Sequence, residues 1–144
     1  MCFLINLHIC THCCTRFDDA LVAINQACKL DSNNKDAIKV MMKTKAVASA
    51  RSNGNELFKA SNFSEACAAY EEGLENDPYN SVLLCNRAAC RSKLGQFEKA
   101  VEDCNAALNL RPSYSRARLR RADCNAMVKK KGTQISFVYE NNAV

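Results

Sequence analysis

Two pairs of side chains in this sequence stand at helical spacing and carry chemistry suited to anions. Arg51 and Asn55 in RSNGN, and Arg116 and Arg120 in RARLR, are each four residues apart, so each pair shares one face of a helix. A guanidinium is a planar fork that holds a carboxylate through paired charge-assisted hydrogen bonds, and an Asn amide donates hydrogens without adding charge. Two further stretches hold reactive residue types. Cys10-Thr-His-Cys13, followed by Cys14 and preceded by His8, has the spacing of a dithiol, and His8 and His12 offer imidazoles to a metal. Lys129, Lys130 and Lys131 extend a basic run that could meet a polyanion.

The last two signals are unspecific. No aromatic residues interleave with the basic run to stack bases, no nucleic-acid-binding motif frames it, and cations also suit the C-terminal end of a helix. The dithiol lacks a flanking Trp and an intervening Gly-Pro, no later strand pattern completes a redox fold around it, and a zinc site needs four ligands held by structure. The sequence therefore points to no catalytic residue, no metal site, no cofactor and no nucleic-acid partner.

Composition sets the frame for the two polar pairs. Among 144 residues, 48% are apolar, with only four Gly, two Pro and no Trp; such a chain favours helices packed closely through small residues over a sheet broken by frequent turns. Ten cysteines would suit a secreted disulfide scaffold. Met1 to Cys10, however, is apolar without a basic start and too short for a bilayer, which takes about 20 apolar residues. A cytoplasmic chain with reduced thiols and no membrane span is expected. The net charge of +5 is uneven: Arg111, Arg116, Arg118, Arg120, Arg121, Lys129, Lys130 and Lys131 face one acid, Asp123, in the same stretch. That local field attracts an acidic partner.

A shift of 34 residues lays one part of the chain on another. Phe63 falls on Phe97, Ala66 on Ala100, Gly73 on Ala107, Leu74 on Leu108, Pro78 on Pro112, Ser81 on Ser115, Arg87 on Arg121, Ala88 on Ala122 and Cys90 on Cys124. Helices packed about 8–10 Å apart need small residues where they cross, and Pro78 and Pro112 each stop a helix and force the turn into the next unit. A weaker register, shifted by 46 residues, places Phe17, Ala20, Ile24 and Asp31 on Phe63, Ala66, Tyr70 and Asp77. Lys35 to Ala46 carries no breaker, which predicts one long helix from about Lys35 to Ala60, or two bent near Ser52 to Gly54. At Arg91 and Cys104 small or charged residues stand where large aromatics are usual, so looser packing is expected there.

This period, with Ala-x3-aromatic and a later Pro, resembles the tetratricopeptide repeat, a pair of antiparallel helices per unit. The resemblance implies an all-α array of helical hairpins, an α-solenoid incomplete at both ends. The expected organisation is an irregular segment over 1–15, the second helix of a degenerate repeat over 16–34, a helical extension over 35–46, repeats at 47–80 and 81–114, the first helix of a truncated repeat over 115–131 and an irregular tail over 132–144. Ile135, Phe137, Val138 and Tyr139 in that tail are expected to cover an apolar flank left by the missing helix.

In such arrays the first helices of successive units line a groove. Arg51, Asn55, Asn86 in CNRAA, Arg116 and Arg120 stand where chaperone-binding tetratricopeptide domains carry a clamp for the two carboxylates of a C-terminal Asp, with Arg51 where Lys is more usual. The ligand so implied is a Glu-Glu-Val-Asp tail of the kind found on cytosolic Hsp70 and Hsp90. From Arg51 to Ala126, the stretches RSNGNELFKASNFSEACAAYEEGL, DPYNSVLLCNRAACRSKLGQFEKAVEDC and ALNLRPSYSRARLRRADCNA resemble the plant tetratricopeptide-repeat thioredoxin-like proteins. That family adds a C-terminal thioredoxin-like domain, absent from this sequence, and is associated with scaffolding in stress and hormone signalling. The chain is thus expected to be a fragment of such a protein, a co-chaperone adaptor or a general scaffold for another peptide, and not an enzyme. Tetratricopeptide J-domain co-chaperones share much of the same repeat wording.

Overall fold

The computed structural model describes residues 35–141 together with Val22 and Gln26. The Cys/His-rich start and nearly all of the expected helix over 16–34 lie outside the described residues. The chain divides into two compact units, Met1–Ser49 and Ala50–Val144. Within the first, Val47 is buried, while Val40 and Met42 are exposed on α1 (Lys35–Lys59), which forms as one helix rather than two. No helix among the described residues is long and apolar enough to cross a membrane.

The second unit holds the end of α1 followed by α2 (Phe63–Asn76), α3 (Ser81–Lys93), α4 (Phe97–Leu110) and α5 (Ser115–Asn141). Consecutive helices pack on one another from α2 to α5, and α5 also meets α3. Small residues sit at the crossings, as their spacing requires: Ala66, Ala88, Ala100, Ala107 and Ala117 are wholly buried. Gly54 costs α1 roughly 1 kcal/mol relative to Ala, and its reason is steric, since a Cβ there would lie 2.6 Å from Tyr70 Cε1. At the α2–α3 turn Pro78 ends one helix, and Asn80 starts the next by accepting hydrogen bonds from the backbone N–H groups of Val82 (3.2 Å) and Leu83 (3.1 Å).

The 34-residue register reappears in contacts and turns. Arg87 donates to Glu71 at 3.3 Å, and Arg121 donates to Asn105 at 3.0 Å, one repeat further on. The α1–α2 and α3–α4 turns pass through Ser61 at φ 64° and Gly95 at φ 74°, again one repeat apart. Only glycine enters this region without steric cost. Ser61→Gly is therefore expected to raise the unfolding free energy by about 0.5–1 kcal/mol, the relief of strain being partly offset by a freer unfolded chain. A rise in the urea midpoint at unchanged slope checks it.

At Arg91 and Cys104, where looser packing was expected, the packing is closed. Cys104 is fully buried with Ala88, Ala100 and Cys124, against Phe97 and Val101. Arg91 instead reaches Asp103 at 2.8 Å. Asp103 also takes Arg87 in a fork, from Nε at 3.1 Å and Nη2 at 2.7 Å. Two arginines of α3 thereby lock onto one buried carboxylate of α4.

The tail corrects the sequence reading. Helix α5 does not stop near Lys131 but continues to Asn141, where an irregular segment over 132–144 was expected. Gly132 alone costs a helix only about 1 kcal/mol, and no proline follows Pro112; without a stronger breaker the helix carries on. The expected cover by Ile135, Phe137, Val138 and Tyr139 falls outside the described side chains.

Cys85, Cys90, Cys104 and Cys124 are buried free thiols, and Cys67 is partly exposed. Burial, then the neighbouring Cys67, pushes the Cys90 thiol up to about 12; burial, then Cys85, does the same to Cys104. The reactive species is the thiolate, so near pH 8 iodoacetamide is expected to label Cys67 well before Cys90 or Cys104. Peptide-resolved mass spectrometry reads the order. The same shifts make folding most favoured below about pH 8.5, the ordinary thiol value. Stability is then lost as the pH rises toward about 12, because the unfolded chain gives up these protons first.

Candidate functional site

Four of the five residues singled out in the sequence gather around one hydroxyl. Tyr70, on α2, is buried, with its ring on the bare face of Gly54. Its Oη donates to Asn55 Oδ1 at 2.7 Å. Asn86, on α3, donates from Nδ2 to the same oxygen at 3.4 Å. Asn55 directly follows Gly54 and lies one turn beyond Arg51 on α1, so the glycine that admits the Tyr70 ring also brings Asn55 within reach of α2 and α3.

Arg51 and Arg120 complete the cluster electrostatically. Burial raises the Tyr70 hydroxyl well above its ordinary range, and the nearby Cys90 adds to that, while the cations of Arg51 and Arg120 and a hydrogen bond from Asn86 oppose it. Both arginines therefore lie near enough to the phenol to oppose its upward shift, which sets positive charge near the Asn55–Asn86 pair. Arg120, from α5, is held by α3: its Nη1 donates to the backbone carbonyl of Cys85 and to Cys85 Sγ at 3.0 Å. Arg116, one turn earlier on α5, is exposed and makes no hydrogen bond or ion pair among the described residues.

The arrangement offers guanidinium and amide donors and a basic field, with no acid of its own among the cluster residues. It is chemistry for holding an anion of carboxylate shape. Among the described residues no group of three or more His, Cys, Asp or Glu is placed to hold a metal ion; the His8, Cys10, His12 and Cys13 stretch lies outside them. Sequence reasoning missed Tyr70 and Cys85 as parts of the site. Tyr70 was legible only as the aromatic of its repeat, although the hydroxyl distinguishes it from Ile24 and Cys104 at the matching positions. Cys85 gave no signal, because its role rests on a backbone carbonyl and a distant arginine.

Comparison with known proteins places the chain. The tetratricopeptide repeat model matches residues 81–114. The chain is 54% identical over 105 residues to the inactive TPR repeat-containing thioredoxin TTL3 of Arabidopsis thaliana, a match that covers 73% of this chain and 15% of that protein. Among solved structures, the first TPR of Spaghetti (RPAP3) bound to the HSP90 peptide SRMEEVD is 36% identical with a TM-score of 0.58, covering 60% of this chain and 68% of that one. The TPR2B domain of yeast Sti1 in complex with an Hsp70 peptide is 34% identical with a TM-score of 0.58, covering 62% and 71%. With its repeat region resembling that of the plant tetratricopeptide-repeat thioredoxins, the chain belongs to the tetratricopeptide-repeat family.

Proposed function

We propose that the unit Ala50–Val144 is a cytoplasmic adaptor that binds the C-terminal peptide of an Hsp70- or Hsp90-type chaperone. In this reading the two carboxylates of a terminal Asp are held by Arg51, Asn55, Asn86, Arg116 and Arg120, and no bond is made or broken. The observation that carries it is the gathering of Arg51, Asn55, Asn86 and Arg120 around the Tyr70 hydroxyl from three helices. Supporting it, the similar Spaghetti domain was solved with a peptide ending in Glu-Glu-Val-Asp. Arg116 would join through its ligand, since its exposed guanidinium lies on the same helix face as Arg120.

A second reading is a general scaffold for another peptide in plant stress or hormone signalling, favoured by the 54% identity to TTL3. The two differ in what they require of the ligand's end. A calorimetric titration with a Glu-Glu-Val-Asp peptide is expected to show binding for the free acid and at least tenfold weaker binding for the C-terminal amide. Equal affinity for both would favour the general scaffold.

A further inference from the structure

We infer that Tyr70 is a positioning residue that makes the site select a free carboxylate, by fixing which end of the Asn55 amide meets the ligand. The inference rests on the carboxylate-clamp reading and goes beyond it to a residue that touches no ligand.

An Asn side chain is two-faced. Its Oδ1 accepts and would repel an anion, and its Nδ2 donates and would hold one. Left to rotate, it could present either face. Here the Tyr70 hydroxyl donates to Asn55 Oδ1 at 2.7 Å, and Asn86 Nδ2 donates to it at 3.4 Å. An amide oxygen has two lone pairs, and two donors occupy them. The oxygen is thereby turned inward toward α2 and α3. Nδ2 keeps both of its hydrogens, with no acceptor paired to it among the described residues.

Two features keep this arrangement one-directional. Burial holds the phenol protonated far above neutral pH, and its oxygen already takes a hydrogen from Asn86, so what the hydroxyl offers Asn55 is its proton, which only the oxygen end of the amide can accept. The ring is also fixed in place: it fills the space where a Cβ on Gly54 would come within 2.6 Å of Cε1, so the hydroxyl cannot swing away from Asn55. Phe would fill the same space without the donor. That is the difference between a residue kept for packing and one kept for its hydroxyl.

The test is the affinity of the full chain for acid-ended and amidated Glu-Glu-Val-Asp peptides, measured for wild type and Tyr70→Phe with thermal unfolding alongside. Loss of one hydrogen bond of ordinary worth predicts that Tyr70→Phe binds the acid about fivefold to tenfold more weakly. Binding of the amide is expected to stay unchanged, so the acid-to-amide ratio falls. If the ratio stays at the wild-type value, whether affinity is kept or lost equally for both peptides, Tyr70 serves packing alone and the inference is overturned while the clamp reading survives. If wild type itself does not discriminate, the clamp reading fails and the inference with it. Asn55→Asp provides a second arm that does not disturb Tyr70: it keeps an acceptor for the hydroxyl and removes the Nδ2 donors. It is expected to lose its preference for the acid at a near-native melting temperature; a retained preference would overturn the inference.

Discussion

Asp103→Ala is expected to lower the unfolding free energy by about 3–5 kcal/mol, the cost of stripping the partner from a buried ion pair. Asp103 is 4% exposed and is the shared acceptor for Arg87 and Arg91, so its loss leaves two guanidinium groups of α3 facing the α4 backbone with no carboxylate between them. For a domain whose total stability is about 5–15 kcal/mol, that is a large fraction. The contrast is Glu71, which meets the same Arg87 at 3.3 Å with its own side chain 57% exposed. Glu71→Ala is expected to cost less than about 1 kcal/mol. Urea unfolding of the two variants separates them; similar losses would mean that burial does not govern this network.

Arg120→Ala is expected to weaken binding of the acid-ended peptide about 10- to 100-fold, the range for losing a charge-assisted hydrogen bond. Arg120 is anchored to α3 through the Cys85 carbonyl and thiol, so in the proposed clamp it would meet the ligand already oriented. Arg120→Lys keeps the charge and loses the fork, and is expected to recover only part of the affinity. Calorimetry on both variants checks this, with their melting temperatures showing that α5 still docks. Full affinity in Arg120→Ala would remove the residue from the site.

The parts of the fold legible in the sequence were those written as repetition of size. Ala66, Ala100 and Ala107 recur at the helix crossings because nothing larger fits, and they are wholly buried; Pro78 and Pro112 mark the turns because they cannot extend a helix. The end of α5 was not legible. GTQ after a lysine run has the composition of a loop, but composition does not stop a helix, and only Gly132 opposed it. The cluster was legible as residue types at helical spacing, which brought out Arg51, Asn55 and Arg120. Its wiring was not, because the contacts join residues far apart in the chain: Tyr70 to Asn55 across 15 positions, Asn86 to Asn55 across 31, and Arg120 to Cys85 across 35. The Asp103 network was hidden for the same reason. An acid among Glu102, Asp103 and Cys104 reads as a solvated face until α3 is laid against it.

The most direct measurement of the central claim is a titration of the 15N-labelled chain with an acid-ended Glu-Glu-Val-Asp peptide, following the side-chain amide resonances of Asn55 and Asn86. A carboxylate held by these residues predicts that both resonances shift on saturation, and that the amidated peptide at the same concentration moves them far less. Binding of the acid that moves other residues while Asn55 and Asn86 stay unshifted would contradict the account.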